Sequence, residues 1–193
     1  MTNPTLQTER LLLVPLADQH LELEVELDSD PKVMRYLGGR ARTREEVVEA
    51  HERRVGQADH VPGLGFWAAF DADEFVGLVW APPAHGPDQP DDPTVCDLGY
   101  RLLRRCWRRG YATEASRELL RHAFETVGQS RVIGQTQEGN AGSRAVMERL
   151  GMRFVRMYHS QDYPEQGLEV QEVEYELTRE TWRDSQGAPT SSD

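Results

Sequence analysis

The sequence predicts one α+β domain, in which strands and helices follow one another along almost the whole chain. Three observations support this class. The chain has 193 residues, an ordinary length for a single domain. Two apolar, aromatic strands at residues 65–70 and 75–81 are joined by a short polar turn, as in a hairpin. Residues 94–127 then contain a strand, a basic loop and an amphipathic helix in succession.

Before the hairpin, the chain is predicted to contain one strand and three helices. Four consecutive apolar residues at 11–14 form the strand, which Pro15 limits. The helices are expected over residues 17–27, 31–36 and 43–57. The last of them has a well-defined start, because Thr43 followed three residues later by Glu46 is a capping box.

After the basic loop and its helix, strands and short helices are predicted to alternate. Strands are expected over residues 131–137, 152–159 and 168–177, and helices over residues 140–150 and 178–183. Gly151 is a natural C-terminal stop for the first of these helices. Residues 184–193 are polar and are expected to form a disordered tail, which leaves a single domain over residues 1–183.

The basic loop that opens the amphipathic helix predicts an anionic ligand. It contains four arginines around one glycine, namely Arg104, Arg105, Arg108, Arg109 and Gly110. The first backbone N–H groups of a helix have no partner inside it, and the helix dipole adds positive charge there. Arginines beside those donors can pair with phosphate oxygens in a bidentate way. The loop therefore predicts a phosphate-bearing ligand, with a solvated basic turn as the alternative.

Composition and charge exclude several classes of protein. The net charge of −11 argues against a nucleic-acid-binding protein and weakly favours a cationic partner. The chain lacks an apolar run of the roughly 18–20 residues needed to span a membrane and lacks a signal peptide, so a cytoplasmic location is expected. Cys96 and Cys106 do not form a C-x-x-C pair, and the histidines lack metal-ligand spacing, so no metal site is predicted.

Three linked motifs lie within residues 94–155. Residues 107–115 read Trp-x-x-Gly-Tyr-x-Thr-Glu-Ala, and residues 97–100 read Asp-Leu-Gly-Tyr. Asn140 and Ser143 are followed by Leu-Gly-Met at 150–152. Together these motifs resemble the GNAT N-acetyltransferases, most of all the branch of the RimJ/RimL ribosomal-protein N-terminal acetyltransferases. The sequence departs from the pattern in having an arginine at 108, where this branch often has glycine, and the rest of the chain matches in element order alone.

This resemblance implies a GNAT fold in an α/β/α arrangement. Its mixed, mostly antiparallel sheet would splay between the fourth and fifth strands to admit acetyl-CoA. The pantetheine would pair with the backbone of Leu102, Leu103 and Arg104. The pyrophosphate would lie on the N–H groups of Arg108, Arg109, Gly110, Tyr111, Ala112 and Thr113. Asn140 and Ser143 would also contact the cofactor, although Asn140 is equally suited to be a helix cap.

The implied reaction is direct transfer of an acetyl group to a primary amine, either a protein N-terminus or a small molecule. Asp97 is the candidate base, with a structural aspartate as the alternative. Ser143 is the candidate acid that protonates the leaving thiolate, although it could instead face solvent or cap the helix. The alternative function is a non-catalytic acyl-CoA-binding regulatory module.

The acceptor itself is not predicted, because its contacts would come from the segments that match the family poorly. These are residues 20–60, the last strands and the proline-rich segment 82–93. That segment is expected to be a solvated loop without a role, or else a mobile flap near the acceptor. Homodimers are common in the family, but no residue of this chain specifically predicts one.

Overall fold

Two β-sheets flanked by helices make up the computed structural model, which describes residues 3–57, 62–86, 88–160 and 170–187. The strands are β1 (Leu6–Gln7), β2 (Leu11–Pro15), β3 (Phe66–Asp71), β4 (Glu74–Trp80), β5 (Val95–Asp97), β6 (Gly99–Leu102), β7 (Arg131–Gln137), β8 (Arg153–Ser160) and β9 (Val170–Thr178). The α-helices are α1 (Leu21–Asp28), α2 (Arg44–Gln57), α3 (Tyr111–Arg121), α4 (Ala141–Arg149) and α5 (Arg179–Gly187). Short 3₁₀ turns cover Asp18–His20, Met34–Tyr36 and Arg104–Cys106, and a π-helix, His122–Val127, continues α3.

The first sheet has the order β1-β2-β3-β4-β6 and is antiparallel. The second has the order β5-β7-β9-β8, in which β5 pairs with β7 in parallel and the other neighbours pair antiparallel. The predicted α+β class with a mixed, mostly antiparallel sheet is therefore confirmed.

The two sheets separate at Leu98, within the strand that the sequence predicts at the start of residues 94–127. The Leu98 N–H donates to the carbonyl of Ile133 on β7, at 2.8 Å. After Leu98 the chain pairs with β4 instead, so that Tyr100 lies opposite Val79. The single predicted strand is thus two strands in different sheets, and a gap opens between β6 and β7. This gap is the predicted splay.

Helix α3 packs its apolar stripe against the first sheet, as its periodicity predicts. Ala115, Leu119 and Ala123 are each at most 1% exposed, and the core around them includes Trp67 and Leu78, which are fully buried. Burial of this stripe fixes the start of α3 beside the gap.

Two helix ends, the start of α2 and the end of α5, can be compared with their predicted positions. The capping box is confirmed, because the Glu46 N–H donates to Thr43 Oγ1 at 3.3 Å and the Thr43 N–H donates to Glu46 Oε2 at 2.8 Å. Helix α5 continues to Gly187, four residues beyond its predicted end, so the first part of the predicted tail is helical. Residues 188–193 lie outside the described residues, and the division at 183 stays a prediction.

Within the described ranges, no helix is long and apolar enough to cross a membrane. The same residues contain no group of three or more His, Cys, Asp and Glu side chains placed to hold a metal ion.

Candidate active site

The predicted anion-binding loop lies at the exposed start of α3. Gly110 has φ +84° and precedes the helix. Arg108 has φ +60°, a left-handed conformation that favours glycine and explains why an arginine is unusual at this position. The Glu114 N–H already donates to the Gly110 carbonyl at 3.0 Å. The N–H groups that have no partner within the helix are therefore those of Tyr111, Ala112 and Thr113. Together with the exposed Arg108 and Arg109, they fit a pyrophosphate.

The edge of β6 turns alternate backbone groups toward the gap. Leu98 bonds to β7, whereas the Leu103 N–H donates to the Val76 carbonyl on β4 at 2.9 Å. Since hydrogen-bonding direction alternates along an antiparallel strand, the backbone groups of Tyr100 and Leu102 face the gap with Leu98. The carbonyl of Leu102 accepts a hydrogen bond from Trp107 Nε1 at 2.8 Å, which leaves its N–H as the group directed to a ligand.

The backbone contact predicted for Leu103 therefore needs correction. Its N–H is bonded to β4, and its carbonyl accepts from the Cys106 N–H at 2.8 Å in a 3₁₀ turn. The carbonyl of Arg104 accepts from the Trp107 N–H at 3.2 Å in the same turn. Tyr100 takes the place of Leu103 as a backbone group facing the gap.

Asn140 and Ser143 lie on the far side of the gap, at the start of α4. Asn140 Oδ1 accepts from the Ser143 N–H at 3.2 Å, and Asn140 Nδ2 donates to Thr136 Oγ1 at 3.0 Å. Asn140 is thus the helix cap that its residue type suits. Its contact with the cofactor stays a prediction.

Tyr100, a residue without a predicted role, connects the two sides of the gap. The Tyr100 hydroxyl donates to the Ser143 carbonyl at 3.0 Å and lies 3.0 Å from Ser143 Oγ. Burial raises the pKa of Tyr100 to about 12, so its phenol stays protonated at neutral pH. In the sequence, this tyrosine belongs to the Asp-Leu-Gly-Tyr motif. The motif does not indicate its partner, because Ser143 lies 43 residues further along the chain.

Asp97 ends β5 immediately before the sheets separate. Burial raises the pKa of its carboxyl to about 6, while a hydrogen bond from Gln89 and the nearby His85 partly oppose the shift. Glu172 and Glu174 on β9 raise it further. A carboxylate that titrates near neutral pH is suited to accept a proton during catalysis.

The proline-rich segment 82–93 packs against the second sheet beside Asp97. The Ala84 N–H donates to the Val95 carbonyl at 2.9 Å. Gln89 Nε2 donates to Gln135 Oε1 on β7 at 2.8 Å, and Arg156 donates to the carbonyl of Asp88. The described residues of the segment, which leave out Pro87, are therefore partly packed against the second sheet, and whether the segment has a role stays a prediction. Its predicted mobility stays a prediction.

The same face of the second sheet presents three buried glutamates of β9, namely Glu172, Glu174 and Glu176. Tyr158 donates to Glu172 at 2.9 Å, Arg156 pairs with Glu174 at 2.9 Å, and Arg131 pairs with Glu176 at 3.2 Å. In the sequence, these glutamates alternate with Val173, Tyr175 and Leu177, which indicates that they lie on the opposite face of β9. The alternation does not indicate that both faces of the strand are buried.

Comparison with known proteins decides the family. The model of the acetyltransferase (GNAT) domain matches residues 10–153. The chain belongs to the GNAT acetyltransferase family. It is an acetyl-CoA-dependent N-acetyltransferase, as the resemblance of its motifs predicts. It is 40% identical over 183 residues to FsC-acetyl coenzyme A-N(2)-transacetylase of Aspergillus fumigatus, covering 93% of this chain and 78% of the relative.

Solved structures share this fold. A GNAT acetyltransferase from Bacillus anthracis superposes with a TM-score of 0.76 at 22% identity, over 92% of this chain and 99% of that one. The ribosomal L7/L12 alpha-N-protein acetyltransferase RimL in complex with coenzyme A gives a TM-score of 0.74 at 15% identity, over 94% and 99% of the two chains. At 15% identity, the likeness to RimL shows the fold alone. The RimJ/RimL branch is therefore only distantly supported.

Proposed function

We propose that this GNAT enzyme transfers the acetyl group of acetyl-CoA directly to a primary amine of a small molecule. The observation that carries the proposal is the 40% identity, over 93% of the chain, to an enzyme named for N(2)-transacetylation of FsC. The enzyme that RimL represents acts on a protein N-terminus by name, and it is 15% identical. The carboxylate of Asp97 at the end of β5 further supports an acceptor that arrives as a cation.

The cofactor would be held by the residues that border the gap and the start of α3. Tyr100 and Leu102 offer backbone groups to the pantetheine, and Asn140 and Ser143 lie opposite them. The N–H groups of residues 108–113 and the side chains of Arg104, Arg108 and Arg109 would receive the phosphates. When bound, acetyl-CoA supplies an activated acetyl group as a thioester.

Two side chains of this chain would handle protons. Asp97 would accept the proton that the acceptor ammonium must lose before it can attack. Ser143 would donate a hydrogen bond to the departing sulfur, with Tyr100 fixing its position through the two contacts at 3.0 Å. A thiolate whose conjugate acid has a pKa of about 8.5 is a good leaving group, so Ser143 should contribute less to the reaction rate than Asp97.

Gly110→Asp is expected to weaken coenzyme A binding by about a hundredfold or more, because it adds a negative charge to the loop that would hold the pyrophosphate, and Arg10, whose Nη2 lies 3.4 Å from the added Cβ, is already paired with Glu114. Gly110→Asn is the matched control, since it has the same shape and the same cost in the left-handed conformation but no charge. Isothermal titration of coenzyme A into each variant measures the difference. Equal affinity of the two variants would contradict the placement of the pyrophosphate on this loop.

The acceptor class is tested by competition in one vessel. Limiting acetyl-CoA is offered with FsC, small primary amines and peptides that carry a free N-terminus, and mass spectrometry reports which products form. We expect kcat/KM for a small amine to exceed that of every peptide by about a hundredfold or more. Preferential acetylation of peptides would overturn the proposed acceptor class, and acetylation of no acceptor would favour the non-catalytic alternative.

A further inference from the structure

Glu114 places a negative charge in the first turn of α3, beside the loop that would bind pyrophosphate. A carboxylate in this position stabilises the helix through its dipole. The same carboxylate would repel a bound pyrophosphate unless its charge were cancelled. The contacts of Glu114 show how this conflict is resolved.

Both carboxylate oxygens of Glu114 accept hydrogen bonds from the turn between β1 and β2. Thr8 Oγ1 donates to Oε1 at 2.5 Å, and the backbone N–H of Arg10 donates to the same oxygen at 2.8 Å. Arg10 Nε donates to Oε2 at 2.7 Å, and Arg10 Nη2 forms an ion pair with the same oxygen at 2.6 Å. Burial alone would raise the pKa of Glu114, but these hydrogen bonds outweigh burial and lower it. The carboxylate is thus ionised and fully paired.

The same guanidinium also contacts the loop itself. Arg10 Nη1 donates to the carbonyl of Arg109 at 3.1 Å. Since a trans peptide directs its carbonyl and its N–H to opposite sides, this bond turns the Gly110 N–H away from Arg10. The guanidinium carbon lies 4.6 Å from the centre of the Tyr111 ring, over which Arg109 also lies at 4.9 Å. Tyr111 is anchored in turn by a hydrogen bond from its hydroxyl to Asp71.

We propose that Arg10 is a positioning residue for cofactor binding, which neutralises Glu114 and holds the Arg109 carbonyl so that the loop presents its N–H groups to the pyrophosphate. This inference rests on the proposed function. It gives the N-terminal hairpin of β1 and β2 a part in binding the phosphates.

The test compares Arg10→Gln with the double variant Arg10→Gln/Glu114→Gln. Arg10→Gln exposes the Glu114 charge, so coenzyme A affinity measured by calorimetry should fall about tenfold. The double variant removes that charge and should recover affinity to within about threefold of wild type. The KM for S-acetylpantetheine, which lacks the pyrophosphate, should stay unchanged in both variants. A role in folding alone would leave the double variant as weak as the single one, and that result would overturn the inference.

Two further variants keep the test decisive. If Arg10→Gln does not fold, Glu114→Gln alone decides, because removing the carboxylate should leave coenzyme A affinity equal or higher, and a weakened affinity overturns the inference. Gly110→Asp separates this inference from the proposed function. If Gly110→Asp binds coenzyme A no more weakly than Gly110→Asn, the pyrophosphate does not lie on this loop and the role of Arg10 falls with that placement, whereas the acceptor class is decided separately by the competition experiment. If Gly110→Asp loses binding while Arg10→Gln matches wild type, the role of Arg10 alone falls.

Discussion

Replacing Asp97 with asparagine should lower kcat/KM for the acceptor by about 10²–10⁴-fold, the range for loss of a general base. Asparagine keeps the shape of the side chain and can still accept the hydrogen bond that Gln89 donates, so folding should be preserved. Coenzyme A affinity should stay within about twofold of wild type, because Asp97 lies on β5, before the gap at which the cofactor would bind. Steady-state kinetics and calorimetry measure the two quantities separately.

The pH profile distinguishes a base from a structural aspartate. The pKa of Asp97 is raised from 3.8 to about 6, so the carboxylate is ionised, and able to accept a proton, above about pH 6. Wild-type kcat/KM should therefore fall as the pH drops through about 6, and Asp97→Asn should lack this limb. An acceptor α-amine with a pKa of about 7.7–8.0 adds a separate rise at higher pH in both proteins. A limb near pH 6 that persists in Asp97→Asn would exclude Asp97 as the base.

Asp91→Asn provides the matched control. Asp91 is an exposed carboxylate in the same proline-rich segment, and its removal changes the net charge equally. Its effect on kcat/KM should be less than about twofold, since exposed charges are screened by salt.

Local signals in the sequence predicted much of this architecture. The strand over residues 131–137 has the predicted bounds, and Thr43 and Glu46 form the predicted capping box. The helix that follows Gly110 begins where the glycine and the apolar stripe indicate. Each of these features depends on residues within one or two turns of chain, which a sequence pattern records directly.

Contacts between distant parts of the chain could not be predicted in this way. Residues 95–102 mix apolar and polar side chains with no break at Leu98, but which sheet each half joins depends on partners at 74–80 and 131–137. The contact between Tyr100 and Ser143 joins residues 43 positions apart. Helix α1 is a sharper case, because its sequence pattern predicts a helix but does not indicate that Glu24 and Asp28 are fully buried. Their cationic partners come from elsewhere in the chain.

Asp28→Asn should lower the free energy of unfolding by about 3–5 kcal/mol, the cost of leaving a buried charge without its partner. Asp28 is fully buried at the end of α1. Its Oδ2 lies 3.3 Å from Arg42 Nη1, and its Oδ1 lies 3.0 Å from Arg101 Nε. The contact with Arg101 is an ion pair without hydrogen-bond alignment, so the attraction rests on charge.

Arg101 makes this substitution costly. It lies on β6 and is 5% exposed, and its Nη2 has no hydrogen-bond partner among the described residues. Burial lowers its pKa to about 9, so the side chain stays cationic at neutral pH. Without Asp28, Glu24 would be the one fully buried carboxylate of α1 near Arg101, and it already pairs with His51 at 2.8 Å and with Arg54. The charge of Arg101 would then be uncompensated.

Urea unfolding of wild type, Asp28→Asn and Glu22→Gln measures the effect. Glu22 lies on the same helix and pairs with Arg44 at 2.5 Å, but both side chains are more than half exposed, so Glu22→Gln should lower the free energy of unfolding far less than Asp28→Asn. Adding Arg101→Met to Asp28→Asn removes the orphaned charge and should recover part of the loss. Equal effects of Asp28→Asn and Glu22→Gln would show that the buried pair does not stabilise the fold. A large, partly recoverable loss would mean that α1 is held on β6 by charge, at the strand that borders the proposed cofactor gap.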